Sequence, residues 1–430
     1  MSNEINILEF NEYIQKNKSA FLCGNGFSMN FDSDFGRIYD KLFLSHKNVI
    51  YNSSYEVKAN KNFTRKCTDN FQSVKRFLRN ISEDSLYEIF EDALLFAETI
   101  RENSRLNEEL WEKELVKKLT FGLSQVDILN RICEVGKNKG ITYMNIEHWT
   151  ILIYFYFAIK QLNPNYYNFP NNNSFITVLN VGDKCLITLV PQENQLYEKV
   201  ILNGFTTYYR FLFSVTIFSN GKALDMSMLS NIDNLDLNKL RDFLNKFDSL
   251  LSLNYDKIME NIVGDRVTHF HGEFVKDKTE YVYSQSFGLN YDNGYVSFSD
   301  ILIGDYFIFK TFLPSVNNLS KNIFNKKVTR FSEKMDAVIQ NNSINNIVIF
   351  GMNIENDQHV LRNVMLAFYF SQQPNPRIIY CYFNEEEKKA FQEQYEEVIT
   401  FSKEVNEYVK RNINVSYIKT QEVLKEYFQK

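Results

Sequence analysis

The chain has few cysteines, and none of them is paired at metal-ligand spacing. Five cysteines are present, each standing alone, with no Cys-x-x-Cys motif. No cysteine pair can hold zinc, and the odd number favours reduced thiols over a disulfide framework. Cys23 and Cys381 lie in apolar, strand-like runs, so we expect both in the core.

Long apolar runs are also missing. The longest, Ile151 to Ile159 and Phe211 to Phe218, are well short of the roughly 20 residues that a bilayer-spanning helix needs. The N-terminus has no basic region followed by an apolar one, so we predict no secretory signal. These features predict a cytoplasmic protein with no membrane partner.

Neither sign of charge is in marked excess. The 48 basic and 53 acidic residues give a formal net charge of −5, so we expect no direct nucleic-acid partner. A hydrophobic content of 44% with 23% charged residues is typical of a folded globular protein, and 430 residues suffice for two or three domains.

The most informative stretch that is present is a glycine turn near the N-terminus. A short apolar run from Ala20 to Cys23 enters Gly24-Asn25-Gly26-Phe27-Ser28. Glycines at such a turn let a dinucleotide pyrophosphate approach the backbone N–H groups at the start of a helix. A lone Gly-x-Gly also occurs in ordinary turns. Predicted helices at 7–15 and 38–44 flank this strand and turn.

An alternation of strands and helices returns in the C-terminal half. We predict strands at 250–253, 267–270, 346–350, 377–383 and 414–418, and helices at 237–246, 328–340, from 356 onward, up to 397 and at 422–428. This order predicts an α/β fold: a Rossmann-like parallel sheet with helices on both faces and a ligand crevice at the carboxyl ends of the strands.

The region between these halves interrupts the alternation. Residues 70–160 are largely helical in pattern, whereas 166–234 combine Asn-rich turns with strand-like runs at 175–179, 185–190 and 208–218. We therefore predict a Rossmann-like NAD-binding domain from residues 1–60 and 245–430, with 61–244 as an inserted, mainly helical and mixed α+β module.

Polar side chains follow two of the predicted strands. Asn254 and Asp256 can bind a ribose, or Asp256 can form an Asx turn that caps the next helix. His269 and His271 project to one face of an extended segment. Two histidines are too few for a metal site, so general acid or base is the better role for one of them, with a structural imidazole more expected of His269.

Two further turns carry candidate ligand groups. Gly351 and Asn353 follow the strand at 346–350, and Asp357 opens the next helix. This arrangement suits a second phosphate or ribose contact, although Asp357 can equally be a plain cap. Asn384 ends the strand at 377–383 and can bind adenosine or cap its helix.

Taken in order, these motifs resemble the sirtuin-like superfamily. The matching segments are Gly24-Asn25-Gly26-Phe27-Ser28, Asp34-Phe35, Asn254-Tyr255-Asp256, His271-Gly272 and Gly351-Met352-Asn353. The resemblance covers roughly residues 18–45 and 245–400. It is closest to the bacterial antiphage branch that hydrolyses NAD⁺, including members that act beside a HerA-type ATPase and AbiH-type abortive-infection proteins. The missing four-cysteine zinc site argues against a protein deacylase, and Asn25 stands where the family has alanine.

The resemblance implies an NAD⁺ glycohydrolase with NAD⁺ as substrate and no metal. In this reading Asn254 orients water or the ribose and His271 accepts a proton, while Asp256 braces Asn254 or the ribose. The cofactor-binding set is completed by Gly24, Asn25, Gly26, Phe27, Ser28, Asp34, Phe35, Gly351, Asn353, Asp357 and Asn384.

The resemblance further implies an abortive-infection effector that stays inactive until triggered. We expect a homo-oligomer, with a HerA-type ATPase or a phage-derived activator as a partner. A non-catalytic NAD⁺ or ADP-ribose sensor and an ADP-ribosyltransferase remain alternatives. A dehydrogenase is less expected, because no acidic residue follows the glycine turn by about 20 positions within a β-α-β unit.

Overall fold

The computed structural model describes most of the chain. The described residues are 3–31, 37–51, 56–58, 64–117, 124–184, 195–218, 229, 232–271, 280–282, 290–291, 294–295, 331–354, 357–397, 400 and 402–430. They form two compact units, one comprising Met1–Gly36, Gly221–Glu273 and Thr329–Lys430, the other Arg37–Asn220 and Phe274–Val328. The boundaries expected from the sequence, at 60 and 245, differ from those of these units.

The first unit contains a six-stranded parallel sheet. Its strands are β1 (Ser19–Cys23), β2 (Ser249–Ser252), β3 (Val267–His269), β4 (Asn346–Phe350), β5 (Arg377–Tyr382) and β6 (Asn414–Lys419). Their order across the sheet is β3-β2-β1-β4-β5-β6, and every pair is parallel. This order reverses between β1 and β4, the place where doubly wound sheets bind dinucleotides. The predicted Rossmann-like α/β fold is confirmed.

Helices cover both faces of the sheet because strand side chains alternate between them. On one face, Ala20 and Leu22 of β1 join a core with the helices Phe331–Asn341, Gln358–Ser371, Glu385–Glu397 and Lys403–Asn412. On the other, Phe21 and Cys23 pack with the helices Ile7–Lys16, Leu237–Leu244, Ile258–Val263 and Thr420–Tyr427. Cys23 and Cys381 are both buried there, as expected.

The second unit is mainly helical in its described part. Its helices are Leu42–Tyr51, Thr64–Phe77, Glu83–Arg101, Ser104–Glu112, Gln125–Lys139, Trp149–Leu162, Ser174–Val181, Gln195–Leu202 and Gly204–Phe218. Short strands pair Glu56–Lys58 with Glu280–Val282, and Asn290–Tyr291 with Gly294–Tyr295. No described helix is both long and apolar enough to cross a membrane.

Two strands predicted in this unit are wrong. Residues 175–179 lie in the helix Ser174–Val181, and residues 208–218 lie in the helix Gly204–Phe218. The third predicted strand, 185–190, lies outside the described residues. Both helices are rich in β-branched and aromatic residues, and burial overrides the strand preference of these residue types.

Contact between two turns places the ends of β1 and β4 against each other. The N–H of Gly24 donates to the Phe350 carbonyl at 3.0 Å, and that of Gly26 donates to the Gly351 carbonyl at 2.8 Å. A Cβ on Gly26 would lie 2.6 Å from the Gly351 Cα, closer than real Cβ atoms come. Gly351 itself adopts φ +62, which favours glycine. Close backbone packing therefore accounts for these glycines.

We predict that Gly26→Ala lowers the free energy of unfolding by about 1 to 3 kcal/mol, because the methyl group must push two backbones apart. Asn25→Ala is the matched control in the same turn, since Asn25 is exposed and its loss should change stability by about 0.5 kcal/mol or less. Urea titration of both variants measures the difference. Equal stability of the two would contradict close packing of the turns.

Candidate functional site

The carboxamide of Asn254 is the centre of a buried network at the carboxyl ends of β1 and β2. Its Nδ2 donates to the Gly24 carbonyl at 2.9 Å and to the Ser28 Oγ at 2.8 Å. The side chain is only 2% exposed. Its Oδ1 is buried and accepts no hydrogen bond from the residues that the structure describes. This amide oxygen thus keeps acceptor capacity that the described residues do not use.

Ser28 and Asp256 support this carboxamide. The Ser28 hydroxyl donates to Asp256 Oδ2 at 2.5 Å, while Asp256 Oδ1 accepts from the Ile258 N–H at 3.1 Å. Asp256 therefore forms the Asx turn considered from the sequence and also braces Asn254 through Ser28. Burial raises the pKa of Asp256, and the hydrogen bond from Ser28 opposes that rise.

His269 fixes the main chain of Asn254. Its Nδ1 lies 2.8 Å from the Asn254 carbonyl, and its Nε2 lies 2.5 Å from Glu260 Oε1. Burial raises the pKa of Glu260, but the hydrogen bond and charge of His269 outweigh it, so the net pKa is lowered. With both nitrogens facing oxygen acceptors, the imidazole serves as a structural support, the role expected for it.

His271 and Asn254 follow neighbouring strands of the sheet. Ser252 of β2 pairs with His269 of β3, and each site residue follows its paired residue by two positions. Neighbouring strands are about 4.8 Å apart. Asn254 and His271 therefore follow strands that end at the same carboxyl edge of the sheet.

His271 also contacts a histidine that the sequence analysis did not single out. Its Nε2 lies 2.9 Å from the Nε2 of His359, in the first turn of the helix Gln358–Ser371. Asp357 stands two residues earlier, and the donor atoms of His271, His359 and Asp357 all lie within 4.8 Å of one another. A third histidine, which sequence reasoning did not bring to this site, is therefore present. In the sequence, the spacing Asp357-x-His359 after the Gly351 turn is the pattern that could have indicated this histidine.

The rings of His271 and His359 meet end to end. Their centres are 5.1 Å apart and their planes differ by 22°. That separation is close to the nitrogen–nitrogen distance plus the two distances from ring centre to nitrogen, so each Nε2 points at the other. This is the geometry of an N–H···N hydrogen bond, in which one imidazole donates and the other accepts. A metal ion, in contrast, needs both lone pairs aimed at a third point.

Burial and the nearby Lys334 ammonium lower the pKa of His271 to about 4. The Lys334 Nζ donates to the main-chain carbonyl of His269, which places its charge beside the histidine segment. At neutral pH His271 is therefore an uncharged imidazole. The uncharged form is the one that can accept a proton.

The other predicted site residues fall into three groups. Phe27 is buried among aromatic rings that include Phe31 and Phe350, so packing accounts for it. Asn384 caps its helix by accepting from the Glu387 N–H at 2.8 Å. Asp34, Phe35 and Gly272 lie outside the described residues.

The glycine turn presents fewer main-chain N–H donors to a ligand than the sequence analysis expects. The N–H groups of Gly24, Gly26 and Phe27 all bind main-chain carbonyls of the chain itself. Asn25 and, in the second turn, Asn353 are exposed. A role of these turns in holding phosphate stays a prediction, and the contacts seen at the site centre on Asn254 and His271.

We predict that Ser28→Ala costs about 1 to 3 kcal/mol of unfolding free energy at neutral pH and less in acid. Because the folded pKa of Asp256 is raised, its ionisation costs stability as pH rises from the unfolded to the folded pKa. Removing the Ser28 hydroxyl raises the pKa of Asp256 further. It therefore enlarges the loss of unfolding free energy at pH values above that pKa.

Urea titrations across the pH range in which the chain stays folded measure this effect. Asp256→Asn is the control, because it keeps the oxygen acceptor but cannot ionise, and adding Ser28→Ala to it should cost the same at every pH. A cost of Ser28→Ala in the parent that does not change with pH would contradict the assignment.

Comparison with known proteins finds no match to this chain among protein-family models, curated proteins or solved structures. The functional argument therefore depends on the geometry of the site and on the chemistry of its side chains.

Proposed function

We propose that this protein is an NAD⁺ glycohydrolase that splits NAD⁺ into nicotinamide and ADP-ribose. The observation that carries the proposal is the buried Oδ1 of Asn254, which accepts no hydrogen bond from the described residues. Asn254 and His271 both follow strands at the carboxyl edge of a sheet with the dinucleotide-binding strand order. An amide oxygen in this state suits a donor such as a ribose hydroxyl or a water molecule, which fits the sugar end of the substrate.

The reaction requires the protein to orient the reacting groups and to accept one proton. Nicotinamide leaves as a neutral molecule and takes the electron pair of the glycosidic bond, so positive charge builds up on the ribose ring as in other glycosyl transfers. Water then adds to C1′ and loses a proton. Asn254 orients the water or the ribose, and the uncharged His271 accepts the proton.

The network beneath Asn254 supports such a role. Its amide hydrogens are held by Gly24 and Ser28, and its main-chain carbonyl faces His269. These contacts fix which way the carboxamide points, so Oδ1 is aimed without reorganisation during the reaction. Buried Asn254 thus acts as a preorganised acceptor at the edge of the crevice.

The wider biological role is a further part of the proposal. The resemblance of the motifs supports an abortive-infection effector that depletes NAD⁺ after phage infection, acting as an oligomer or beside an ATPase or phage-derived activator. Transfer of ADP-ribose to a macromolecule uses the same side chains, and mass analysis of the products separates the two reactions.

We predict that the protein releases nicotinamide from NAD⁺ and that His271→Gln slows the release by about 100- to 10,000-fold. Glutamine can keep a hydrogen bond to His359 but cannot act as a base at neutral pH. Nicotinamide is measured by chromatography, with a phage lysate added or withheld.

Asp236→Asn is the matched control for folding and charge. Asp236 caps the helix Leu237–Leu244, a task that asparagine performs as well, and it is not among the residues of the site. Release by His271→Gln at the parent rate would contradict the proposal. Binding of NAD⁺ without turnover under every condition would favour a sensor instead.

A further inference from the structure

The contact between His271 and His359 joins parts of the sheet that are not neighbours. His271 follows edge strand β3, and His359 begins the helix after β4, although β2 and β1 lie between these strands. The side chains of His271 and His359 therefore meet although two strands separate the strands that they follow. This contact gives His271, the proposed base, a second imidazole as its partner.

The end-to-end rings restrict where the protons can be. With the two Nε2 atoms 2.9 Å apart and aimed at each other, one carries a hydrogen and the other presents its lone pair. If the Nε2 of His271 is the donor, its Nδ1 is free of hydrogen and can accept a proton from the reaction. The lone pair on His359 then lies directly in line to receive the Nε2 proton.

The charges around the pair favour movement of the proton toward His359. Lys334 lies beside the His271 segment and opposes a positive charge there. The carboxylate of Asp357 lies within 4.8 Å of both imidazoles and favours a positive charge on the pair, while the helix N-terminus that carries His359 opposes a positive charge there. The ribose itself becomes cationic as nicotinamide leaves, so a positive imidazolium directly beside it is unfavourable.

We propose that His359 receives a proton from His271 during the reaction, so that the two imidazoles and Asp357 form a relay leading away from the ribose. This rests on the proposed function. The O–H bond of the attacking water breaks and a proton binds to Nδ1 of His271. The Nε2–H bond of His271 breaks as the Nε2–H bond of His359 forms. His271 ends neutral and the positive charge resides on His359, next to the carboxylate.

The first test reads the tautomers and needs no activity. In the full chain with ¹⁵N-labelled histidine, ring nitrogen shifts, assigned by His271→Gln and His359→Gln, should show the Nε2 of His271 protonated and the Nε2 of His359 unprotonated. A hydrogen on the Nε2 of His359 instead would overturn the relay, because the Nδ1 of His271 would then already carry a hydrogen. Two unprotonated Nε2 atoms would overturn the relay. That pattern, together with Co²⁺ binding that is lost in Asp357→Asn and His359→Gln, would identify a metal site instead.

The second test uses turnover. His359→Gln keeps a hydrogen-bonding partner for His271 but cannot hold the proton, so kcat should fall at least tenfold while KM stays within about twofold. The dependence of kcat on the D₂O fraction should be curved in the parent, where two protons move, and linear in the variant. Imidazole added to His359→Ala should restore part of kcat, which a purely structural role does not predict.

The outcomes separate the relay from the function it serves. A parent that releases no nicotinamide contradicts the proposed function, while the ¹⁵N shifts still decide the arrangement of the imidazole protons. If the parent is active and His359→Gln has the same kcat, the relay is overturned and the glycohydrolase proposal stands. Asp236→Asn again serves as the control, since it removes a charge at a different helix N-terminus.

Discussion

The two hydrogen bonds donated by the carboxamide of Asn254 are the interaction on which this site depends. They join the end of β2 to the turn after β1, and they leave one buried oxygen without a described partner. An unsatisfied acceptor in the interior costs stability, and the folded chain retains it at the carboxyl edge of its sheet. Ser28, Asp256 and His269 all act to hold that carboxamide in place.

Much of the sheet was predictable because its strands are short apolar runs with turn residues at their ends. The strand at 346–350 has the predicted bounds, and the others differ by one residue at one or both ends. Their alternation with amphipathic helices fixed the fold class. Predictions failed where the described side chains are buried: residues 208–218 form a helix whose sequence is apolar on nearly all sides, so it has no polar face to reveal its period.

The site was predictable only where a residue follows its own strand. Asn254 and His271 were found in this way, because parallel strands deliver their carboxyl ends to one edge. His359 was not found, since it lies 88 positions from His271 in the sequence and follows a strand that does not neighbour β3. The reason for the glycines was also hidden, because a sequence does not show that Gly26 and Gly351 press against each other.

The central claim is tested most directly by a crystal structure of the protein soaked with ADP-ribose, the product that keeps the sugar but lacks nicotinamide. The account predicts that the ribose lies at the carboxyl ends of β1 and β2, with a hydroxyl or a water molecule bound to Asn254 Oδ1 and C1′ facing His271. ADP-ribose bound elsewhere, or no binding at millimolar concentration, would contradict it.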